Sequence, residues 1–305
     1  MTQIVLRFML CVLLCCLPSL DLQARIKAYR WTDAQGKTQF GDQPPAGVQA
    51  TAIAVSEPEP QGPAELIIDR TGNSLSLAAN NSMYGPVEVM LRGTGMENAF
   101  SEPSLPLRRV LSGNKRSPLA RVSLLEGRSS ANLGFVLESV PGDPLAEPRD
   151  VAYSLPVDSN SGWQLGQGFH GGFSHTDEAN RYAIDLIVPE GTSVLAARSG
   201  VVMEVESGFD RGGTDKRRYY ERANLIRILH DDGSMAIYAH LRENGALVRV
   251  GEKVGLGQAI GISGNTGFSS GPHLHFCVQV NRGMRLVSIP FRMVGPDGFL
   301  RVGSP

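Results

Sequence analysis

The sequence holds no histidine before residue 170, so all six lie in the carboxy-terminal part: His170, His175, His230, His240, His273 and His275. Cysteine is nearly as unevenly spread, with Cys11, Cys15 and Cys16 near the start and only Cys277 beyond them. Charge of one sign is missing too. Twenty-nine Lys and Arg against thirty Asp and Glu leave a formal net charge of -1. That balance excludes the basic stripe of a nucleic-acid binder and the polybasic segment of an anionic-lipid binder. No apolar run reaches the roughly 20 residues of a membrane span. The longest, FMLCVLLCCLPSL over residues 8–20, follows Arg7 and precedes Leu22-Gln23-Ala24. This is the shape of a secretory signal peptide over residues 1–24, with an uncleaved anchor as the alternative. Removing it leaves no stable span and a single cysteine, so an internal disulfide is excluded. The mature fold then depends on its core or on a metal.

Helical periodicity is absent over any long stretch. Tyr29-Arg30-Trp31 and Gln39-Phe40-Gly41 flank a turn at residues 33–36 and are closed by Pro44-Pro45, which is a hairpin signal. The pattern resembles a small module of the DUF4124 type found after the signal peptides of Gram-negative envelope proteins. Residues 48–62, rich in Pro, Glu, Gln and Ala, read as a linker. From 64 to 156, short apolar or alternating runs separated by turn residues predict a β-sandwich-like domain. No catalytic constellation appears there, so it reads as a positioning domain. The last segment is also strand-rich, with runs at 200–205, 224–230, 234–240 and 273–280. The expected order is leader 1–24, hairpin module and linker 25–60, sandwich-like domain 61–158, and a final β domain 159–305.

The histidines carry the chemistry. In His273-Leu274-His275 the two imidazoles are two residues apart, so on a strand they share a face, with Cα atoms roughly 6.6 Å apart. One can bind a metal while the other handles protons. A zinc hydrolase uses three protein ligands and an open position for water. That water is acidified to about pKa 7. A neighbouring imidazole takes its proton, and another stabilises the oxyanion. Two more ligands and one more acid–base residue are therefore expected.

Four collinear blocks supply a resemblance. Gly264-Asn265-Thr266-Gly267-Phe268-Ser269-Ser270-Gly271-Pro272-His273-Leu274-His275, Tyr238-Ala239-His240-Leu241, Asp185-Leu186-Ile187-Val188-Pro189-Glu190-Gly191-Thr192, and Val250-Gly251-Glu252-Lys253-Val254 with Gly257-Gln258-Ala259-Ile260-Gly261 resemble the M23 family of lysostaphin- or LytM-type zinc metallopeptidases. The resemblance implies a mainly β fold with an antiparallel sheet and a long groove. It implies one Zn2+ ion held by Asp185 and His275, with His273 as general base and His240 assisting at the carbonyl. The implied substrate is the peptide stem of peptidoglycan in the periplasm, with other envelope proteins as candidate partners. The alternatives are a non-catalytic relative that activates a cell-wall amidase, and a peptidase of protein substrates.

One position departs from the pattern. The family's first ligand is usually a histidine four residues before the aspartate, and here Arg181 stands there. His175 is favoured as the substitute, being nearer in sequence, with His170 as the alternative. His230 reads as structural. Cys277 shares the face of His275 by strand parity but reads as a small core residue. The polar stretch 207–222 reads as an exposed loop, either solvated or selecting substrate.

Overall fold

The computed structural model describes residues 27–41, 45–54, 62–125 and 132–303. The leader expected at residues 1–24 lies outside them. No helix among the described residues is long and apolar enough to cross a membrane. The chain divides into two compact units, Met1–Glu59 and Pro60–Pro305.

In the first unit, Lys27–Thr32 pairs antiparallel with Thr38–Gly41. The Asp33 carboxylate closes the turn, accepting from Gln35 N at 3.0 Å, Lys37 N at 2.9 Å and Gln39 Nε2 at 2.7 Å. Gly36 takes the left-handed φ of +77° that the turn needs. A third strand, Thr51–Ala54, pairs with the other edge of Lys27–Thr32. The segment read as a linker thus contains a strand. Four residues amid Pro and Glu give no alternation to see, and the partner is distant in sequence.

The second unit begins with two antiparallel sheets. One is ordered Ala64–Thr71, Ser74–Asn81, Lys115–Leu124, Ala99–Glu102, and the other Leu133–Pro141, Val87–Met96, Leu107–Leu111. Alternation drives the burial: Val87, Val89 and Leu91 are fully buried and meet Leu77, Ala79, Leu111, Leu119 and Val122 from both sheets in one core. Removing such side chains from water stabilises the fold by roughly 1.5–3 kcal/mol each. Met203 and Met235, from the second half of the unit, belong to the same core. Glu88, buried between the halves, pairs with Arg108 and accepts from Asn281 Nδ2 at 2.9 Å and Met284 N at 2.7 Å. The sandwich-like part is therefore seated on the sheet that follows.

That sheet has ten strands. Its central path runs Gln164–Gln167, Ile184–Ile187, His273–Asn281, Met235–Ala246, Asn224–Leu229, Gly200–Glu206, Lys253–Val254. One face buries Ile184, Leu186, Ile226, Ile228, Tyr238, Leu274, Phe276 and Val278, with Tyr238 opposite Phe276 in register. The other face carries Asp185, His273 and His275. The stretch read as a loop at 207–222 is partly ordered. Gly212–Gly213 pairs parallel with Gly267–Phe268, and a single helical turn, Lys216–Tyr219, is capped by the Asp215 carboxylate, which accepts from Arg217 N at 3.0 Å.

Candidate metal centre

Register brings the site together. Asp185 lies directly opposite His275, which lies opposite Ala239, while Ile187 lies opposite His273. Residues facing each other across a ladder share a face, so Asp185, His273 and His275 converge. His240 does not follow from alternation, which would send it with Tyr238 into the core. A bulge between the Asn224–Leu241 and Leu225–Ala239 pairs makes His240 the extra residue. Its φ of +63°, unusual for a residue with a Cβ, turns it out of the core and toward the other histidines. Its Nδ1–H donates to Thr266 O at 2.6 Å. Gly264 lets that loop approach, since a Cβ there would lie 2.4 Å from Arg242 N.

His175 comes from the segment at 168–183, which folds over this face. Its Nδ1–H donates to Gly168 O at 2.8 Å, so Nε2 is the bare nitrogen. The candidate ligand atoms of His175, Asp185 and His275 all lie within 4.8 Å of one another. One oxygen, Asp185 Oδ1, is 2.9 Å from His275 Nδ1, 3.2 Å from His175 Nε2 and 3.6 Å from His273 Nε2. His170 stays outside, exposed, with its ring edge-on to Tyr182 at 5.1 Å. Phe173 stacks on Phe268 with centroids 5.2 Å apart, and both line a cleft of about 430 Å³ that runs to Asp185 and His273.

His230 is buried elsewhere, with Nδ1–H on Ser199 O at 2.9 Å. Cys277 is buried beside Ala183 and Ile237 with its thiol toward Ala179 O, and burial raises its pKa. Gln167 went unremarked in the sequence. Its Nε2 donates to Asp185 Oδ2 at 2.7 Å. A glutamine between two glycines gives no local signal of such a role.

The electrostatics fit a cation. Burial pushes the Asp185 pKa up, but hydrogen bonds from His175 and His275 and the charges of His275 and His273 outweigh it and hold the carboxyl far below its ordinary value. Burial pushes His240 down to about 3, helped by His273 and His275. Burial also lowers His273, against the opposing pull of Asp185. For His175, burial is overcome by the Asp185 hydrogen bond and charge, so its pKa rises. With His175 Nδ1–H committed to Gly168 O, its bare Nε2 faces a carboxylate oxygen. Two acceptors at that range need a proton or a metal ion between them. Two imidazoles and a carboxylate are a suitable zinc donor set.

Residues 179–286 match the family model described as peptidase family M23. Those residues are an M23 domain. The match includes Asp185, His240, His273 and His275 and begins after His175. Residues 13–66 match DUF4124, a domain of unknown function. Over 124 residues the chain is 35% identical to peptidoglycan DD-endopeptidase ShyA of Vibrio cholerae, covering 40% of this chain and 25% of that protein. An uncharacterized metalloprotease of Buchnera aphidicola is 35% identical over 99 residues, 32% of this chain and 23% of the relative. Lysostaphin from Staphylococcus simulans is a solved structure at 32% identity and a TM-score of 0.32, covering 42% of this chain and 46% of that one. The chain thus spans about a quarter of the length of these curated relatives.

Proposed function

We propose that the protein is an exported zinc metalloendopeptidase that hydrolyses peptide cross-links of peptidoglycan. The convergence of His175 Nε2, Asp185 Oδ1 and His275 Nδ1 beside two further histidines carries the reading. The DD-endopeptidase relatives support the substrate, and the apolar leader supports export.

His175, Asp185 and His275 would hold the ion. When bound, zinc acidifies a water to a pKa of about 7 and polarises the scissile carbonyl. His273 donates Nδ1–H to Gly271 O at 2.8 Å and keeps Nε2 bare on the Asp185 side, placed to take a proton from the attacking water. His240 has the same tautomer through Thr266 O, and its ring lies 4.5 Å from that of His273. In that form it accepts a hydrogen bond. With burial holding its pKa at about 3, it donates to the developing oxyanion only after receiving the proton that the neighbouring His273 takes from the water, so the two rings divide the proton handling.

The test digests purified sacculi with the full chain and identifies the released muropeptides by mass. Chelation should abolish release and added zinc restore it, and His273→Ala should be inactive with its zinc retained. Undiminished release by the chelated protein or by His273→Ala overturns the reading. Zinc binding and amidase stimulation without hydrolysis would instead make the protein a regulator.

A further inference from the structure

We propose that Gln167 is a positioning residue of the metal centre. It pins the second oxygen of Asp185 and ties it to the loop that carries His175. The inference rests on the reading that His175, Asp185 and His275 hold a metal ion.

The backbone places Gln167 by a bulge. Leu165 pairs with Leu186 and Gln167 with Asp185, so Gly166 is the extra residue. Without it, Gln167 would face Ile184 and point to the core side. A Cβ at residue 166 would lie 2.9 Å from Ile187 Cγ1, so glycine lets the strands meet there without displacing that side chain. The bulge thus puts Gln167 beside Asp185 on the face of the site.

The amide then serves three groups. Nε2 donates to Asp185 Oδ2 at 2.7 Å and to Ser174 Oγ at 3.1 Å, and Oε1 accepts from Phe173 N at 3.2 Å. Only a side chain with both a donor and an acceptor at its end satisfies a carboxylate oxygen and a backbone N–H together. With Oδ2 engaged, Oδ1 is the oxygen presented to His175 and His275, which favours a one-oxygen ligand and keeps coordination open for water and substrate. Phe173 and Ser174 immediately precede His175, so the same amide fixes the loop from which that ligand comes.

Losing an outer partner of a metal ligand weakens binding by about 10–100-fold. The test measures zinc affinity of the full chain by chelator competition, with zinc alone as probe, and the melting temperature of each metal-free protein. Gln167→Met and Gln167→Ala should bind zinc about 10–100-fold more weakly, with metal-free melting close to wild type. Ser174→Ala, which leaves the Asp185 bond in place, should weaken binding less. Affinity within about twofold of wild type in either Gln167 variant overturns the proposal, as does a loss in Ser174→Ala equal to theirs. His275→Ala separates the two readings. If it keeps wild-type affinity, or if wild type binds no zinc, the metal-centre assignment itself fails.

Discussion

The two halves of the second unit are both built mainly on antiparallel sheets, yet they spend their irregularities differently. Of the fifteen buried polar residues among the described ones, only Asn81 and Glu88 lie in the sandwich-like half. That half has a bulge where Leu119 intervenes between the Leu77–Ala120 and Ala78–Pro118 pairs, and it sends one more apolar side chain into the core, where Leu119 is 2% exposed. In the M23 half, the bulges at Gly166 and His240 place Gln167 and His240 beside Asp185 and His275. Bulges re-aim side chains wherever they occur. What they aim distinguishes a supporting sheet from a working one.

The largest effect should come from breaking the working half at His175. His175→Ala should lower zinc affinity by more than about a hundredfold, beyond the loss of an outer partner, while His170→Ala should leave it unchanged. Metal content of the two purified variants decides, and zinc retained in His175→Ala would return the ligand role to another residue. Leu91→Ala should show the reverse separation. Its side chain is fully buried in the sandwich-like core, so the variant should lose about 2–5 kcal/mol of stability with zinc affinity preserved in the folded protein. Denaturant unfolding beside a zinc titration would show whether the halves separate in this way.

Much of this was legible in the sequence, and the reasons for the gaps are specific. The His273-Leu274-His275 spacing puts both imidazoles on one strand face, because parity acts locally, whereas Asp185 is reached through the family resemblance, since its pairing with His275 is non-local. His240 was reached only through the family resemblance, since parity alone would have buried it with Tyr238. Gln167 was missed because a one-residue bulge at Gly166 reverses the face it occupies. Thr51–Ala54 was read as linker because its partner, Lys27–Thr32, is non-local. The short helical turn at Lys216–Tyr219 is too brief to show a period.

His230 offers a contrast within the M23 half, as a buried histidine without a metal role. Burial, foremost, and the neighbouring Arg198 lower its pKa to about 4, while Ser199 O, Asp232 and Asp231 pull the other way. Its Nε2 has no hydrogen-bond partner among the described residues. The unfolded chain takes up its proton near pH 6.5, and the folded protein only near 4. The contribution is therefore full above about pH 6.5 and is lost as pH falls toward 4. The loss is on the order of 3 kcal/mol. Melting temperature against pH should show this slope in wild type and a shallower one in His230→Phe. Equal slopes would mean that another group carries the acid sensitivity.

The smallest effect should come from a charge pair of the sandwich-like half. Arg92 Nε lies 3.3 Å from Glu138 Oε1, and each side chain is about half exposed, at 49% and 50%. In water-like surroundings the attraction is weak, and ordering two long side chains offsets most of it. Arg92→Met should therefore change stability by less than about 1 kcal/mol, and salt should shrink that difference further. Urea unfolding at low and high salt measures both. A large loss that salt leaves unchanged would mean that the pair is shielded from water more than its exposure implies, and the supporting half would then owe more to its surface than its apolar core implies.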